Sequence, residues 1–264
     1  MLICAGLLRT RKARLEVDIF SPSQQTPTPQ IILLPGMDGT ADLYSGLMKN
    51  LSGSWRVTSQ MYPRDVKTSY SQLLQMLQFQ TAEDAPFLLV AESYSTPLAI
   101  QFAATSPKNL KGLVLCAGFA TCPVVGWRKV VTKLLQPVLF HLPLTDFALD
   151  HFLLGPDAEE SLRAVVRKAV TSVKPSVLSA RLRSILNCDA RKELRQIDVP
   201  IWYIQAQQDL LVGPHSLEEI LRENRTVQVE TIRGPHLLFQ REPRRTAEVI
   251  DSLARSVFTA SSCR

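Results

Sequence analysis

Three residues whose side chains could together perform nucleophilic catalysis each stand where a short apolar run ends. Ser93 follows the run "PFLLVAE", and Asp209 and His236 end two later runs of strand-like sequence. A serine hydroxyl is a weak nucleophile at neutral pH, but a histidine within hydrogen-bond reach can take its proton, and an aspartate can orient and stabilise that imidazole. The pattern predicts acyl chemistry with Ser93 as nucleophile, His236 as base and Asp209 as the orienting acid.

Each of these residues also has an ordinary structural interpretation. Serine is a favoured helix N-cap, and aspartate is common in turns. Their shared placement favours the catalytic interpretation, because the carboxyl ends of parallel strands meet at one edge of a sheet and bring distant residues together. Asp189 and Asp198 are rival acids, but they precede the strand and are expected at the opposite edge.

Acyl chemistry also requires donors for an oxyanion, which are normally backbone N–H groups. The N–H of Tyr94 opens a helix, where the helix dipole favours negative charge. The loop in "LLPGMDGT" offers a second donor, and we expect it to be the N–H of Met37. Gly36 permits a close backbone approach to substrate, while Asp38 either accepts hydrogen bonds within its own loop or contacts the substrate.

The residues around the serine depart from the usual nucleophile elbow, which has the sequence G-x-S-x-G. Here the elbow, residues 91–95, is "AESYS", with Ala91 and Ser95 in place of the glycines. Glycine suits a strained turn in which strand and helix backbones lie close together, and alanine and serine are the next smallest choices. We assign Glu92 no chemistry and expect it to stay solvated or to form an ion pair. The ring of Tyr94 is expected to pack against the pocket.

The elements that must position these residues alternate between short strands and helices. Such alternation indicates βαβ units and a mostly parallel sheet flanked by helices, which is an α/β fold. The strands are predicted at 13–20, 31–36, 55–63, 86–93, 112–119, 199–209 and 226–236, and the helices at 41–51, 69–80, 95–106, 215–224 and 242–258.

One stretch breaks this alternation and predicts mainly helices. We therefore expect a core formed by residues 1–120 and 198–264, with a helical lid inserted at 121–197. Apolar residues at helical spacing in the lid either pack on the core or line an acyl pocket. They include Val130, Val131, Leu134, Leu135, Val138, Leu139 and Phe140. Residues 122–198 carry 12 basic and 8 acidic side chains, which is compatible with an acidic acyl carrier as partner.

The order Ser, Asp, His along the chain is that of the α/β-hydrolase triad. The chain resembles α/β-hydrolases over nearly its whole length, through "LLPGMDGT", "AESYSTPLAI", "QAQQDLLV" and "GPHLLFQREP". More narrowly, it is similar to a branch of bacterial and plastid hydrolases with the forms "PGxDGTG" and "GESFSGPLA". Ala91 and Thr96 stand where glycines are common in that branch. The lidded layout also resembles carboxylesterases that cleave pimeloyl-carrier-protein methyl ester.

The resemblance implies a carboxylesterase-like serine hydrolase of the EC 3.1.1 class, with an acyl-enzyme on Ser93 and no metal or organic cofactor. Its substrate would be a carrier-protein-linked or small-alcohol acyl ester, or a thioester. Two alternatives stay open. One is an acyltransferase in which an alcohol or thiol replaces water. The other is a non-catalytic binding protein with the same fold, which only the missing elbow glycines favour.

The composition argues against a nucleic-acid-binding protein, a membrane-spanning protein and a cysteine-based metal site. The 264 residues have a net charge of +6 with scattered basic residues, and no nucleic-acid motif is present. No run of about 20 apolar residues predicts a membrane span. The five cysteines lack metal-ligand spacing and are interpreted as reduced thiols, and the N-terminus is interpreted as a strand rather than a signal peptide. These features predict a cytoplasmic protein.

Overall fold

The computed structural model describes residues 28–80, 85–126, 130–132, 134 and 138–261. Several sequence features lie outside these described residues: the strand predicted at 13–20, most of the polar loop at 21–30, Cys4, Cys263 and Leu135. Element labels below follow the order of the described chain.

The described residues form one sheet of six parallel strands, in the order β2-β1-β3-β4-β5-β6. The strands are β1 (Gln30–Leu34), β2 (Arg56–Ser59), β3 (Phe87–Glu92), β4 (Leu110–Cys116), β5 (Ile201–Ala206) and β6 (Gln228–Ile232). Every residue of β3 is buried, as expected of a central parallel strand covered on both faces. The predicted α/β fold is confirmed. The prediction that Asp209 ends a strand is wrong, because β5 stops at Ala206 and Asp209 lies in the following loop.

Helices cover both faces of the sheet. They are α1 (Ser45–Leu51), α2 (Tyr70–Gln80), α3 (Thr96–Ala103), α4 (Asp146–Leu149), α5 (Glu160–Thr171), α6 (Pro175–Leu186), α7 (Arg191–Leu194), α8 (Pro214–Glu223), α9 (Leu238–Arg241) and α10 (Pro243–Ser261). Prolines open α6, α8 and α10, where their fixed φ suits the first helical turn and no N–H is lost. The two-residue period of β1 divides the core: Ile31 and Leu33 pack on the side of α10, and Ile32 and Leu34 on the side of α3.

The stretch between β4 and β5, which we call the insert (residues 121–197), contains α4 to α7. Residues 145–187 are mainly helical, as predicted for this stretch, and α4 continues into a π-helical turn at Asp150–Leu154. The insert packs on the carboxyl edge of the sheet, where its apolar residues share a buried cluster with Leu43 and Leu237. The N–H of Leu237 also donates to the carbonyl of Leu153 at 2.9 Å. The role of the insert as a lid stays a prediction.

Candidate active site

The three residues predicted to act together meet in one hydrogen-bonded chain at the carboxyl edge of the sheet. Nδ1 of His236 lies 2.7 Å from Oδ2 of Asp209, and Nε2 lies 2.8 Å from Oγ of Ser93. An ionised carboxylate only accepts hydrogen bonds, so Nδ1 carries the proton and Nε2 accepts from the serine hydroxyl. This arrangement allows the imidazole to remove a proton from Ser93.

The loop after β5 holds one oxygen of the aspartate and leaves the other for the imidazole. Oδ1 of Asp209 accepts from the N–H groups of Leu211 and Val212 at 2.8 and 2.9 Å, which leaves Oδ2 for the imidazole. The His236 residue is only 4% exposed. Burial opposes the imidazolium, but the charge and hydrogen bond of Asp209, together with the charge of Glu92, raise the pKa of His236 above its ordinary value. The site therefore favours a protonated imidazole once Ser93 has given up its proton.

Ser93 lies in a strained turn between β3 and α3. Its φ is +49°, a value that non-glycine residues rarely adopt. The 3₁₀ turn Ser93–Ser95 follows the strand directly, and α3 begins at Thr96. The side chain of Ser93 caps neither element, because Glu92 and Ser95 occupy the N-cap positions. The Ser93 side chain is therefore not a helix cap, and a strained strand-to-helix turn is the setting in which nucleophile elbows place their serine.

Ala91 and Ser95 take the places of the two elbow glycines, and Thr96 takes the place of a glycine that is common in the narrower branch. Ala91 is fully buried in β3. The hydroxyl of Ser95 contacts the hydroxyl of Tyr62 at 2.6 Å and donates to the carbonyl of Pro35, so it joins the elbow to the loop after β1. Oγ1 of Thr96 donates to the Ser93 carbonyl at 2.8 Å. Thr96 is accommodated because its neighbour is Gly118, where an added Cβ would lie 2.5 Å from the threonine Cγ2.

The loop after β1, residues 35–40, turns sharply beside the elbow; we call it the β1 loop. The N–H of Gly39 donates to the Gly36 carbonyl at 3.0 Å. Because the Gly36–Met37 peptide is trans, the Met37 N–H points away from this carbonyl and out of the turn. Asp38 accepts hydrogen bonds from the N–H and the hydroxyl of Thr40 at 2.9 and 2.6 Å. It therefore bonds within its own loop, which is the first of the two predicted alternatives. Burial raises the pKa of Asp38, although the bonds to Thr40 oppose the rise.

Arg181, on α6 of the insert, reaches under the β1 loop. It is 0% exposed, and its guanidinium donates to the carbonyls of Met37, Asp38 and Pro63 at 2.7, 2.8 and 2.8 Å. Gly39 has a φ of +68°, and a Cβ at this position would lie 2.6 Å from Nη1 of the arginine. The β1 loop is therefore shaped around a side chain that the insert supplies.

The expectation for Glu92 is wrong. This residue is 1% exposed, so it is neither solvated nor at the surface. Its carboxyl accepts from the hydroxyl of Tyr44 at 2.9 Å and from the amide of Gln240. Burial raises the pKa of Glu92 to about 7, against the opposing charge of His236. A second carboxyl group thus lies close enough to the imidazole for their charges to interact.

The ring of Tyr94 lies in the protein core. It is fully buried, stacks on Tyr70 with ring centroids 5.0 Å apart, and meets Tyr62 edge to face at 6.1 Å. The Tyr94 carbonyl accepts from the hydroxyl of Tyr70 at 2.8 Å, which holds the backbone directly after the serine. This packing fixes the orientation of the Tyr94 peptide unit.

Sequence reasoning missed Arg181, Glu92 and the bridging role of Ser95. Arg181 gave no signal, because an arginine in an amphipathic helix is usually solvated. Glu92 gave a weak signal, since a carboxylate at the end of a buried apolar strand has no solvent-facing side. Within the described ranges, no group of three or more His, Cys, Asp or Glu side chains could hold a metal ion, and no helix is long and apolar enough to cross a membrane.

Comparisons with solved structures identify the fold. An enol-lactonase from Burkholderia xenovorans LB400 superposes with a TM-score of 0.73 at 17% identity, covering 87% of this chain and 92% of that one. A thermophilic esterase from Thermogutta terrifontis gives 0.69 at 18% identity, covering 88% and 91%. The chain therefore has the α/β-hydrolase fold, and the predicted resemblance is confirmed at that level.

One characterised protein is also similar in sequence. A pimeloyl-[acyl-carrier protein] methyl ester esterase from Neisseria meningitidis is 23% identical over 209 residues, which cover 73% of this chain and 80% of that protein. No family model matches the chain. The narrower "PGxDGTG" and "GESFSGPLA" branch stays a prediction.

Proposed function

We propose that this protein is a serine esterase that hydrolyses a carboxylic ester through an acyl-enzyme on Ser93. The observation that carries the proposal is the continuous hydrogen-bonded chain from Asp209 through His236 to Ser93, with contacts of 2.7 and 2.8 Å. The strained backbone of Ser93 supports it, because strain of this kind is concentrated at functional sites.

In the proposed reaction, Ser93 Oγ attacks the carbonyl carbon of the ester while its proton passes to Nε2 of His236. The N–H groups of Met37 and Tyr94 hold the oxyanion of the tetrahedral intermediate. The intermediate collapses, the C–O bond of the ester breaks, and His236 gives its proton to the leaving alcohol. Water then attacks the acyl-enzyme, His236 takes and returns its proton, and the free acid leaves.

The proposed substrate is an acyl ester whose acyl group contacts the insert, with Gly36 and Asp38 nearby. Two observations support an acyl group that is linked to a carrier protein. The similar protein from Neisseria meningitidis is named for such a substrate, and basic side chains exceed acidic ones in residues 122–198. A thioester substrate follows the same steps with a thiol as leaving group. We also propose a cytoplasmic location, because the five cysteines lack metal-ligand spacing and are interpreted as reduced thiols.

Labelling and turnover together test this function. A fluorophosphonate probe should label Ser93 in the folded protein, and Ser93→Ala should lose both the label and about 10⁴-fold or more of the turnover of p-nitrophenyl esters. Ser106→Ala is a matched control, because Ser106 is an exposed serine that also has a positive φ, +51°. Full turnover by Ser93→Ala would show that another residue is the nucleophile. Product analysis with an added alcohol or thiol separates hydrolysis from acyl transfer.

A further inference from the structure

The two ends of the insert meet in an isolated antiparallel bridge. Thr121, just after β4, pairs with Asp189, which lies between α6 and α7. On one side of this pair, the N–H of Ala190 donates to the carbonyl of Ala120 at 2.9 Å. We call this bridge the neck of the insert.

Two cysteines flank the paired residues of the neck. In an antiparallel continuation of the Thr121–Asp189 pair, Cys122 would stand opposite Cys188. Directly opposed residues of antiparallel strands have Cα atoms about 4.5–5.5 Å apart, within the range of about 4.4–6.8 Å that a disulfide needs. Side chains of such a pair project to the same face. Both cysteines indeed line one pocket of about 370 Å³.

The surroundings of the pair permit reaction. Both cysteines are thiols in the structure, with Sγ atoms that donate to the carbonyls of Val124 and Ile185 at 3.3 and 3.1 Å. These two contacts are broken by rotation about the side-chain bonds and do not require a change of fold. Cys122 is 8% exposed and Cys188 is half-buried, and both line the pocket together with the ion pair of Arg191 and Asp189.

Cys116 provides an internal contrast. It is fully buried in β4, and burial raises the pKa of its thiol well above the ordinary value. A buried neutral thiol reacts slowly with oxidants, because the thiolate is the reactive form. Among the cysteines in the described ranges, Cys122 and Cys188 are therefore the pair that the geometry favours, and Cys188 is the more accessible of the two.

We propose that Cys122 and Cys188 form a modification site that low-molecular-weight disulfides oxidise to an intramolecular disulfide. In the first step one thiolate attacks the small disulfide, forms a mixed disulfide and releases one small thiol. In the second step the other cysteine thiolate attacks the protein sulfur of that mixed disulfide, forms the Cys122–Cys188 bond and expels the second small thiol. The two protein thiols lose two electrons and two protons, and the small disulfide gains them.

The bond would close the neck around residues 123–187, which include Arg181. A covalent link at this position removes conformational freedom from the unfolded insert without touching Ser93, Asp209 or His236. The proposal does not depend on the proposed esterase activity, because it is read from the chemistry of the cysteines alone.

The test treats the folded full-length chain with glutathione disulfide, blocks the remaining thiols with N-ethylmaleimide and maps the tryptic peptides by mass spectrometry. Trypsin leaves Cys116 and Cys122 on one peptide, since no lysine or arginine lies between them. The expected result is a link from this peptide to the one that contains Cys188. The link should persist in Cys116→Ser, vanish in Cys122→Ser and be reversed by dithiothreitol. Oxidation should also raise the unfolding midpoint by about 5–10 °C, a shift absent from Cys188→Ser.

Three results would overturn the proposal. One is the appearance of only mixed glutathione adducts on separate cysteines. Another is a linked peptide that persists in Cys122→Ser, because it would then come from Cys116. If oxidation in urea gives the same yield of the Cys122–Cys188 link as oxidation of the folded chain, the neck has no part in the pairing, and the proposal fails as well.

Discussion

Ser93 lies between two supports that are built differently. On one side, Asp209 and His236 belong to loops of the sheet and contact each other and the serine directly. On the other side, the β1 loop is held from behind by Arg181, which belongs to the insert. The first support consists of the groups that would react. The second consists of a guanidinium whose hydrogen bonds go to backbone carbonyls.

The difference shows which parts of a catalytic site can be recognised in a sequence and which cannot. Reacting groups require particular residue types at particular places, so they leave a pattern in the sequence. A group that fixes a backbone carbonyl can come from any element within reach of a long side chain, so it leaves none. We expect loss of the first support to abolish turnover and loss of the second to impair it by degrees.

The largest effect should follow from Asp209→Asn. The amide would leave His236 with the wrong tautomer or without its acceptor, and kcat should fall by about 10⁴-fold. Steady-state turnover of p-nitrophenyl acetate measures this loss. Asp198→Asn is the matched control, because Asp198 is exposed and precedes β5. An Asp209→Asn variant that retained its rate would remove the aspartate from the proposed triad.

A smaller effect is expected from Arg181→Met, which leaves the carbonyls of Met37 and Asp38 without donors. The β1 loop should lose its fixed shape, and kcat should fall by about 10- to 100-fold with KM little changed, because an oxyanion donor acts in the transition state. Arg183→Met, on the exposed face of the same helix, serves as control. If KM rose while kcat held, Arg181 would serve substrate binding instead.

Ser95→Ala should cost less than ten-fold in kcat. The change removes a buried hydroxyl that joins Pro35 and Tyr62, and leaving their polar groups unsatisfied should lower the free energy of unfolding by about 1–3 kcal/mol. Urea unfolding beside a rate assay separates the two effects. The exposed Ser106→Ala variant should change neither, and an unaltered Ser95→Ala variant would mean that the hydroxyl does not brace the elbow.

Of these variants, Glu92→Gln should have the smallest effect on kcat. It should have the largest effect on how the free energy of unfolding depends on pH. The folded pKa of about 7 exceeds the ordinary 4.5, so the folded chain retains a proton that the unfolded chain has released between these values. Stability therefore falls as pH rises through that window, by about 3 kcal/mol at most. The variant should lack this fall in urea unfolding from pH 4.5 to 6.5, whereas the exposed Glu230→Gln should keep it.

His236 sets the highest pH at which a change in the free energy of unfolding can be assigned to Glu92 alone. Its raised pKa gives a contribution to stability that is full below about 6.5 and is lost as pH rises through the folded value. If the free energy of unfolding of Glu92→Gln still falls with pH above 6.5, that fall is therefore assigned to the His236 imidazole. If the variant showed the same slope as the parent at pH 4.5 to 6.5, Glu92 would be ionised throughout that range.

The sheet and the meeting of Ser93, Asp209 and His236 were predictable, because strand period, helix period and the edge rule for parallel sheets are local or topological. The burial of Glu92 was not, since it depends on Tyr44 and Gln240, which close over it from distant parts of the chain. The tolerance of Thr96 was hidden for a similar reason. It depends on Gly118 in the loop that follows β4, and a single sequence does not reveal which residues face each other.

The contact between Arg181 and Gly39 limits how this protein can be engineered. Inserts in such folds invite exchange, since they leave and rejoin the sheet at nearby points. Here an exchanged insert would remove the guanidinium of Arg181 and leave a void beneath the β1 loop. Gly39 would keep its positive φ, but the side chain that packs against it would be gone. A chimera that is meant to change substrate range must therefore transplant the arginine with its helix, or redesign residues 35–40 together with the insert.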